Sequence, residues 1–230
     1  STDYLEEISR ELALFKKLRK GKEQRYNQII GELEVYFIHH SLSLEGNPIT
    51  LPQTRRILKD KIIPSNLRTS DVDEIKNYQK ALFQMIQDSQ SKRPITIPTI
   101  LNYHELAMAN NSEIAGKIRK IEVYIKGNPQ FKITKADKLE EELNKLLKEY
   151  NYFINKKSSL KETLAFAVYF HNEFQHIHPF IDGNSRTTRL ITFHLLQSKE
   201  IPIIDIPFGL LEEYLSYTKG SKNREDIKLY

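Results

Sequence analysis

Residues 178–189 read HPFIDGNSRTTR. The run that follows, SRTTRLITFHLLQ at 185–197, decides the fold class. Leu190, Phe193, His194 and Gln197 recur at three- and four-residue steps, which is helical spacing. Gly183 and Asn184 break whatever precedes, so a helix should begin there. Arg186 and Arg189 then lie in its first turns, three apart, on one face. A helix N-terminus carries about half a positive charge, and a cation there is unfavourable by about 0.3–1 kcal/mol. Two cations at that end make sense if an anion sits with them. A polyphosphate is the natural candidate, because free N–H groups and the dipole already form an anion site.

Taken singly, these residues have ordinary explanations. Asp182 could be a helix N-cap, His178 an inert loop histidine, and the arginines partners of surface carboxylates. The three together are harder to explain that way. They supply a base, a metal ligand and a phosphate cradle within twelve positions.

The stretch resembles the signature of the Fic family, His-x-Phe-x-(Asp/Glu)-Gly-Asn-Gly-Arg-x-x-Arg. Here His178, Phe180, Asp182, Gly183, Asn184, Arg186 and Arg189 fill it, and Ser185 stands where the family usually has glycine. Residues 171–180, HNEFQHIHPF, resemble the family's helix-to-loop lead-in. GKIRKIEVYIKG at 116–127 resembles its flap, a β-hairpin that holds the target segment and that we place over 116–133. SLSLEGNPITL at 41–51 resembles the inhibitory motif (Ser/Thr)-x-x-x-Glu-(Gly/Asn), with Ser41, Glu45 and Gly46 on the matching positions. Its place upstream of the signature suggests the class with an N-terminal inhibitory helix.

The resemblance implies an all-α Fic/Fido fold with a small hairpin flap. It also implies a protein adenylyltransferase, moving AMP from ATP to a Ser, Thr or Tyr hydroxyl of a target protein. Arg186 would contact the outer phosphates and Arg189 the γ-phosphate. Gly183, Asn184 and Ser185 would complete the anion site, while Val123, Tyr124, Ile125 and Lys126 would border the nucleotide. Tyr214 matches a tyrosine near the adenine in related proteins. Glu45, with Ser41 in the same motif, would act as a brake, its carboxylate held against Arg189. The same glutamate could orient a water for the reverse reaction, removal of AMP. A homodimer is also open.

The residues support the chemistry independently. An attacking hydroxyl must lose a proton, and an unperturbed histidine, pKa about 6.5, is mostly neutral at physiological pH. His178 takes that role, with Pro179 and Phe180 holding the loop. Asp182 is the carboxylate in the stretch, and Mg²⁺ typically binds one or two carboxylates plus phosphate oxygens and water. The N–H groups around Gly183 to Arg186, with the Asn184 amide, would face the anion. Ser185 keeps its backbone N–H, so re-tuned activity is expected rather than loss.

Residues 118–126 alternate well enough for a strand, and GNP at 127–129 signals a turn. Phe131 and Ile133 would form the return strand, and such an edge can recruit an extended target peptide. Elsewhere the reading is helical. Tyr26, Ile30, Leu33 and Phe37 make one stripe, and Ile75, Tyr78, Leu82 and Met85 another. Thr50 and Pro52 suit a helix start. Thr99 to Ala109 reads as a helix in which His104 is structural. Thr134-x-x-Asp137 should open a helix through Tyr150, and Ser159-x-x-Glu162 is a capping box. These patterns suggest an N-terminal helical region over 1–92, containing the inhibitory motif 41–46, and a catalytic core over 93–230, together forming one compact domain.

Hydrophobic residues make up 39% of 230, enough for a sizeable core, and the absence of cysteine excludes a disulfide scaffold. The net charge of +5 comes from scattered lysines and arginines, without the aromatic interleaving of a nucleic-acid surface. No window approaches 18 apolar residues and no signal-peptide pattern is visible, so a cytoplasmic location and no membrane contact are expected. The chain begins at Ser1, so a removed leader stays open. Three rival readings remain: transfer of another phosphate-containing group, a metallohydrolase built on His171, His176, His178 and Asp182, and a weakened nucleotide-sensing module, for which Ser185 is the one pointer.

Overall fold

The computed structural model describes residues 3–125, 127–128 and 130–202. Among them are eight α-helices: α1 Asp3–Gly21, α2 Glu23–Ser43, α3 Leu51–Arg55, α4 Thr69–Ser91, α5 Ile97–Ala107, α6 Leu139–Asn155, α7 Leu160–Ile177 and α8 Asn184–Ser198. The all-α expectation therefore holds. No described helix is long and apolar enough to cross a membrane.

Capping sets several boundaries. Thr50 accepts from the Gln53 N–H while the Gln53 side chain accepts from the Thr50 N–H, with Pro52 beside them in the first turn of α3. Ser159 and Glu162 make the same reciprocal pair at α7. At α5 the cap is Thr96, and its partner Thr99 is the third residue of the helix, so the helix begins two residues before the expected Thr99. The start of α6 also differs from expectation. Asp137 falls in a 3₁₀ turn, Ala136–Lys138, and α6 proper begins at Leu139. The Ala136 N–H is taken by the Glu122 carboxylate at 2.9 Å.

α8 is the centre of the molecule. Leu190, Ile191, Phe193, Leu195 and Leu196 are fully buried, as are Thr187, Thr188 and Thr192. A helix buried on nearly all sides needs neighbours all round, and α4, α7, α5 and α2 supply them. The Phe37 ring meets Phe193 edge-on at 4.5 Å and stacks with Tyr78 at 5.9 Å. Each such fully buried aromatic contributes about 1.5–3 kcal/mol of transfer free energy. Two of the buried threonines satisfy themselves locally, Thr188 donating to the Asn184 carbonyl and Thr192 to the Thr188 carbonyl, while the Thr187 hydroxyl is buried without a partner. The N-terminus of α8 is thus held rigidly by the core behind it.

The flap is the main departure from the sequence reading. No strand ladder forms among the described residues of 116–133. Turn bonds do occur, from the Asn128 N–H to Ile125 and from Phe131 to Asn128. The bases of the two arms instead bond to the end of α7. Arg119 N–H donates to the Pro179 carbonyl at 2.9 Å, and Thr134 N–H donates to the His176 carbonyl at 2.9 Å. Ile121 and Tyr124 are exposed, so alternation here buys no buried face that could fix a strand register.

Candidate active site

The site is built where α7 ends and α8 begins. His178 caps α7 in the left-handed region, φ 51°, ψ 60°, with its N–H donating to the Phe174 carbonyl at 2.9 Å. Histidine is among the residues that tolerate this conformation. Phe180 is fully buried and stacks on His104 with ring centroids 3.7 Å apart. His104 in turn accepts from the Gly116 N–H at Nδ1, which fixes the tautomer with hydrogen on Nε2. That Nε2–H donates to the Asp182 carbonyl at 2.8 Å. Burial holds the His104 pKa below the ordinary value, with the Asp182 carbonyl acting the other way. His104 is thus structural, as expected, and it supports the loop from beneath.

Gly183 is required twice over. Its φ is +84°, and an added Cβ would lie 2.8 Å from Met108 Sδ and 3.1 Å from His104 Nε2. Asn184 corrects an expectation. It is buried; its Oδ1 accepts from the Phe180 N–H at 2.9 Å and its Nδ2 donates to the Phe180 carbonyl at 2.8 Å. The side chain therefore shapes the loop, and one of its amide hydrogens is already committed. Ser185 accepts a long hydrogen bond from Gln175 Nε2 at 3.4 Å. It lies within the regular part of α8 without positive φ, so its backbone does not need glycine.

The two arginines point at different partners. Arg186 is buried, with Nη2 3.2 Å from Asp182 Oδ1 and Nη1 3.6 Å from Glu74 Oε2, while its Nε is buried with no partner. Tyr78 donates its hydroxyl to the Arg186 carbonyl at 2.9 Å. Arg189 donates Nε–H to Ser41 Oγ at 2.9 Å and lies over the Phe37 ring at 5.5 Å. Glu74 is shifted up by burial, against the pull of Arg186, with the negative charges of Asp71, Asp182 and Glu45 adding to the rise.

The inhibitory segment is placed beside these arginines, with a changed contact. Ser41 is buried at the end of α2, and Gly46, φ 92°, lets the chain turn back. Asn47 anchors that turn by donating to the Asp71 carbonyl at 3.1 Å. Glu45 is exposed, and among the described residues it makes no ion pair with Arg189. The expected carboxylate contact is replaced by the Ser41 hydroxyl, because Ser41 lies on the buried face of α2 whereas Glu45 lies past its end.

Burial lowers the pKa of His178, and Arg119 adds to the shift, while the Gln175 carbonyl opposes it. Its Nδ1 is buried and the Gln175 carbonyl is not in good hydrogen-bond geometry to it, so Nε2 is the better candidate to meet a substrate. Asp182 is the exposed member of the site, its side chain 60% accessible. Oδ1 is occupied by the Gly183 N–H at 2.8 Å and by Arg186. Among the described residues Oδ2 has no such bond, and an open carboxylate oxygen is the kind of ligand Mg²⁺ takes. Among the described residues no three His, Cys, Asp or Glu side chains cluster as a metal site, so the four metallohydrolase candidates do not assemble into one.

Arg119, Glu74 and His104 were not marked as site residues by sequence. Arg119 is 2% exposed and donates Nε–H to the His178 carbonyl at 2.7 Å, Nη1–H to Ile121 at 2.9 Å, and Nη2–H to Thr134 and, at 3.4 Å, to Ile177. No local pattern announces such a contact, since its partners lie up to 59 positions away. Val123 and Ile125 are half-buried and Tyr124 is 81% exposed, beyond the anchored base of the flap. Lys126 and Tyr214 lie outside the described residues.

The arrangement matches known proteins. The Fic/DOC family model matches residues 69–196, more than half of the chain. Relatives named protein adenylyltransferase Fic, from Drosophila persimilis and Drosophila grimshawi, are 30% and 29% identical over 213 residues, 92% of this chain. The match takes in 39% and 41% of those relatives, so the chain spans about two fifths of their length. Among solved structures, a Fic domain-containing signalling protein from Bacteroides thetaiotaomicron has the same fold, with TM-score 0.78, 23% identity, and coverage of 91% of this chain and 80% of that one. Fic-1 from C. elegans aligns with TM-score 0.62 and 23% identity over 99% of this chain and 68% of that one. With the signature folded as one loop and helix start, and the family model spanning α4 to α8, this chain belongs to the Fic/DOC family.

Proposed function

We propose that this protein is an adenylyltransferase that moves AMP from ATP to a hydroxyl group of a target protein. The observation that carries this is the shared geometry of His178, Asp182, Arg186 and Arg189 around the N-terminus of α8. The names of the curated relatives support the same reading.

In this reading the triphosphate lies along the first turn of α8, where free N–H groups and the dipole favour an anion. Arg186 and Arg189 hold the outer phosphates. The target hydroxyl loses its proton to His178 Nε2 as its oxygen attacks the α-phosphorus. The new O–Pα bond forms as the bond to the β-phosphate oxygen breaks, and pyrophosphate departs. The depressed pKa of His178 keeps it neutral, ready to accept that proton. Asp182 would hold Mg²⁺ through its open oxygen, and the bound ion would neutralise charge between the phosphates. The exposed flap beyond Arg119 and Thr134 would present the target segment.

Glu45 would restrain the reaction through its charge. It sits on the turn next to Ser41, so a γ-phosphate on Arg189 would meet a negative neighbour. The same carboxylate could orient water for AMP removal.

The test uses α-labelled ATP, Mg²⁺ and a lysate with wild type, Glu45→Gly and His178→Ala. Labelled protein is expected with the first two, most with Glu45→Gly, and none with His178→Ala. Labelling that survives His178→Ala would overturn the assignment.

A further inference from the structure

Arg119 is a buried charge that the chemistry above leaves unused. Among the described residues it has no ion pair; its guanidinium is surrounded by carbonyl oxygens instead. Two of them, Ile177 and His178, are the last carbonyls of α7, which have no intrahelical partner and carry the negative end of the dipole. Of the other two, Ile121 belongs to the outgoing arm of the flap and Thr134 follows directly on its returning arm. The Arg119 N–H adds a bond to the Pro179 carbonyl. One planar fork therefore joins both arms of the flap to the backbone on each side of His178.

The geometry points to Arg119 as a positioning residue that ties the flap to the catalytic base. It rests on the adenylyltransferase reading above. His178 is held at positive φ, a conformation that persists only when its surroundings over-determine it. The carbonyl of His178 is fixed by Arg119 Nε, so the orientation of the imidazole depends on the guanidinium. A target segment that displaces the flap arms must pull on the same fork, and the base moves with it. The Arg119 guanidinium is buried and its donors are taken by backbone carbonyls, so its effect falls on turnover and not on ATP affinity.

The experiment compares wild type, Arg119→Lys and Arg119→Gln. Lysine keeps the charge but presents it as a point with no fork. AMP transfer with α-labelled ATP, ATP affinity by calorimetry, and amide exchange over 176–182 are measured on each. We expect kcat to fall about ten- to hundredfold in both variants, ATP affinity to stay within twofold of wild type, and exchange at 176–182 to accelerate. Wild-type turnover in either folded variant would overturn the proposal, as would a loss of transfer that follows ATP affinity. Should wild type and Glu45→Gly both transfer nothing, the functional reading fails separately. Amide exchange then still decides: unchanged protection at 176–182 in Arg119→Lys overturns the tie, and accelerated exchange supports it.

Discussion

Arg189 donates its Nε–H to the Ser41 hydroxyl at 2.9 Å, joining α8 to the end of α2 across 148 positions of chain. The bond places an uncharged partner on the arginine assigned to the γ-phosphate. Ser41→Ala should lower the stability of the nucleotide-free protein by about 1.5–3 kcal/mol, since a hydrogen bond to a cation is lost. ATP should then restore more stability in the variant than in wild type, because the phosphate replaces the missing acceptor. Thermal unfolding with and without ATP and Mg²⁺ checks both halves.

Glu45 makes no ion pair among the described residues, so its removal should cost the fold little. Glu45→Gly should raise AMP transfer about tenfold, equivalent to about 1.4 kcal/mol of relieved repulsion near Arg189. Turnover equal to wild type, measured with labelled ATP, would remove Glu45 from the regulation of the site.

Burial holds the His178 pKa below the usual histidine value. A base works when unprotonated, so the acidic limb of transfer should lie below about pH 6.5. A pH profile of kcat/KM in Glu45→Gly reads this limb directly. A limb at or above the ordinary histidine value would mean that His178 is not the group being titrated.

His171 and His194 are both pushed down to about 4, chiefly by burial. The unfolded chain then binds more protons than the folded one between about pH 6.5 and pH 4. Stability from these groups is fully present above about pH 6.5 and is lost as pH falls toward 4. The loss is on the order of 3 kcal/mol per histidine at most. Urea unfolding at stepped pH should show this slope, and His194→Gln should flatten it.

Gly183→Ala combines a left-handed backbone with a Cβ 2.8 Å from Met108 Sδ. A loss of about 1–3 kcal/mol is expected, with weaker ATP binding because the first turn of α8 shifts. Urea midpoints and calorimetry test the two effects. Wild-type behaviour in both would mean that the loop can relax without cost.

Much of the fold was legible because its helices obey local rules. The Ser159–Glu162 box and the stripe through Ile75, Tyr78, Leu82 and Met85 appear where periodicity and capping placed them. Alternation at 118–126 suggests a hairpin, but no ladder forms among the described residues, and alternation cannot show what the backbone groups bond to. Those bonds run to Pro179 and His176, far along the chain. The same limit applies to Arg119, Glu74 and the Ser41 contact of Arg189, since sequence spacing fixes which turn a residue occupies but not what another helix brings against it. Ser185, the departure from the family pattern, proved harmless to the backbone, because α8 is regular there.

The two bonds at the base of the flap, Arg119 to Pro179 and Thr134 to His176, also divide the chain into a fixed frame and an exchangeable cassette. Residues between them can change as long as the Ile121 carbonyl, which Arg119 also holds, keeps its place. In the proposed reaction, target contacts would vary by substitution in that short segment while the transfer site is kept. Grafting the 122–133 segment of a relative onto this frame tests whether the two parts separate in this way.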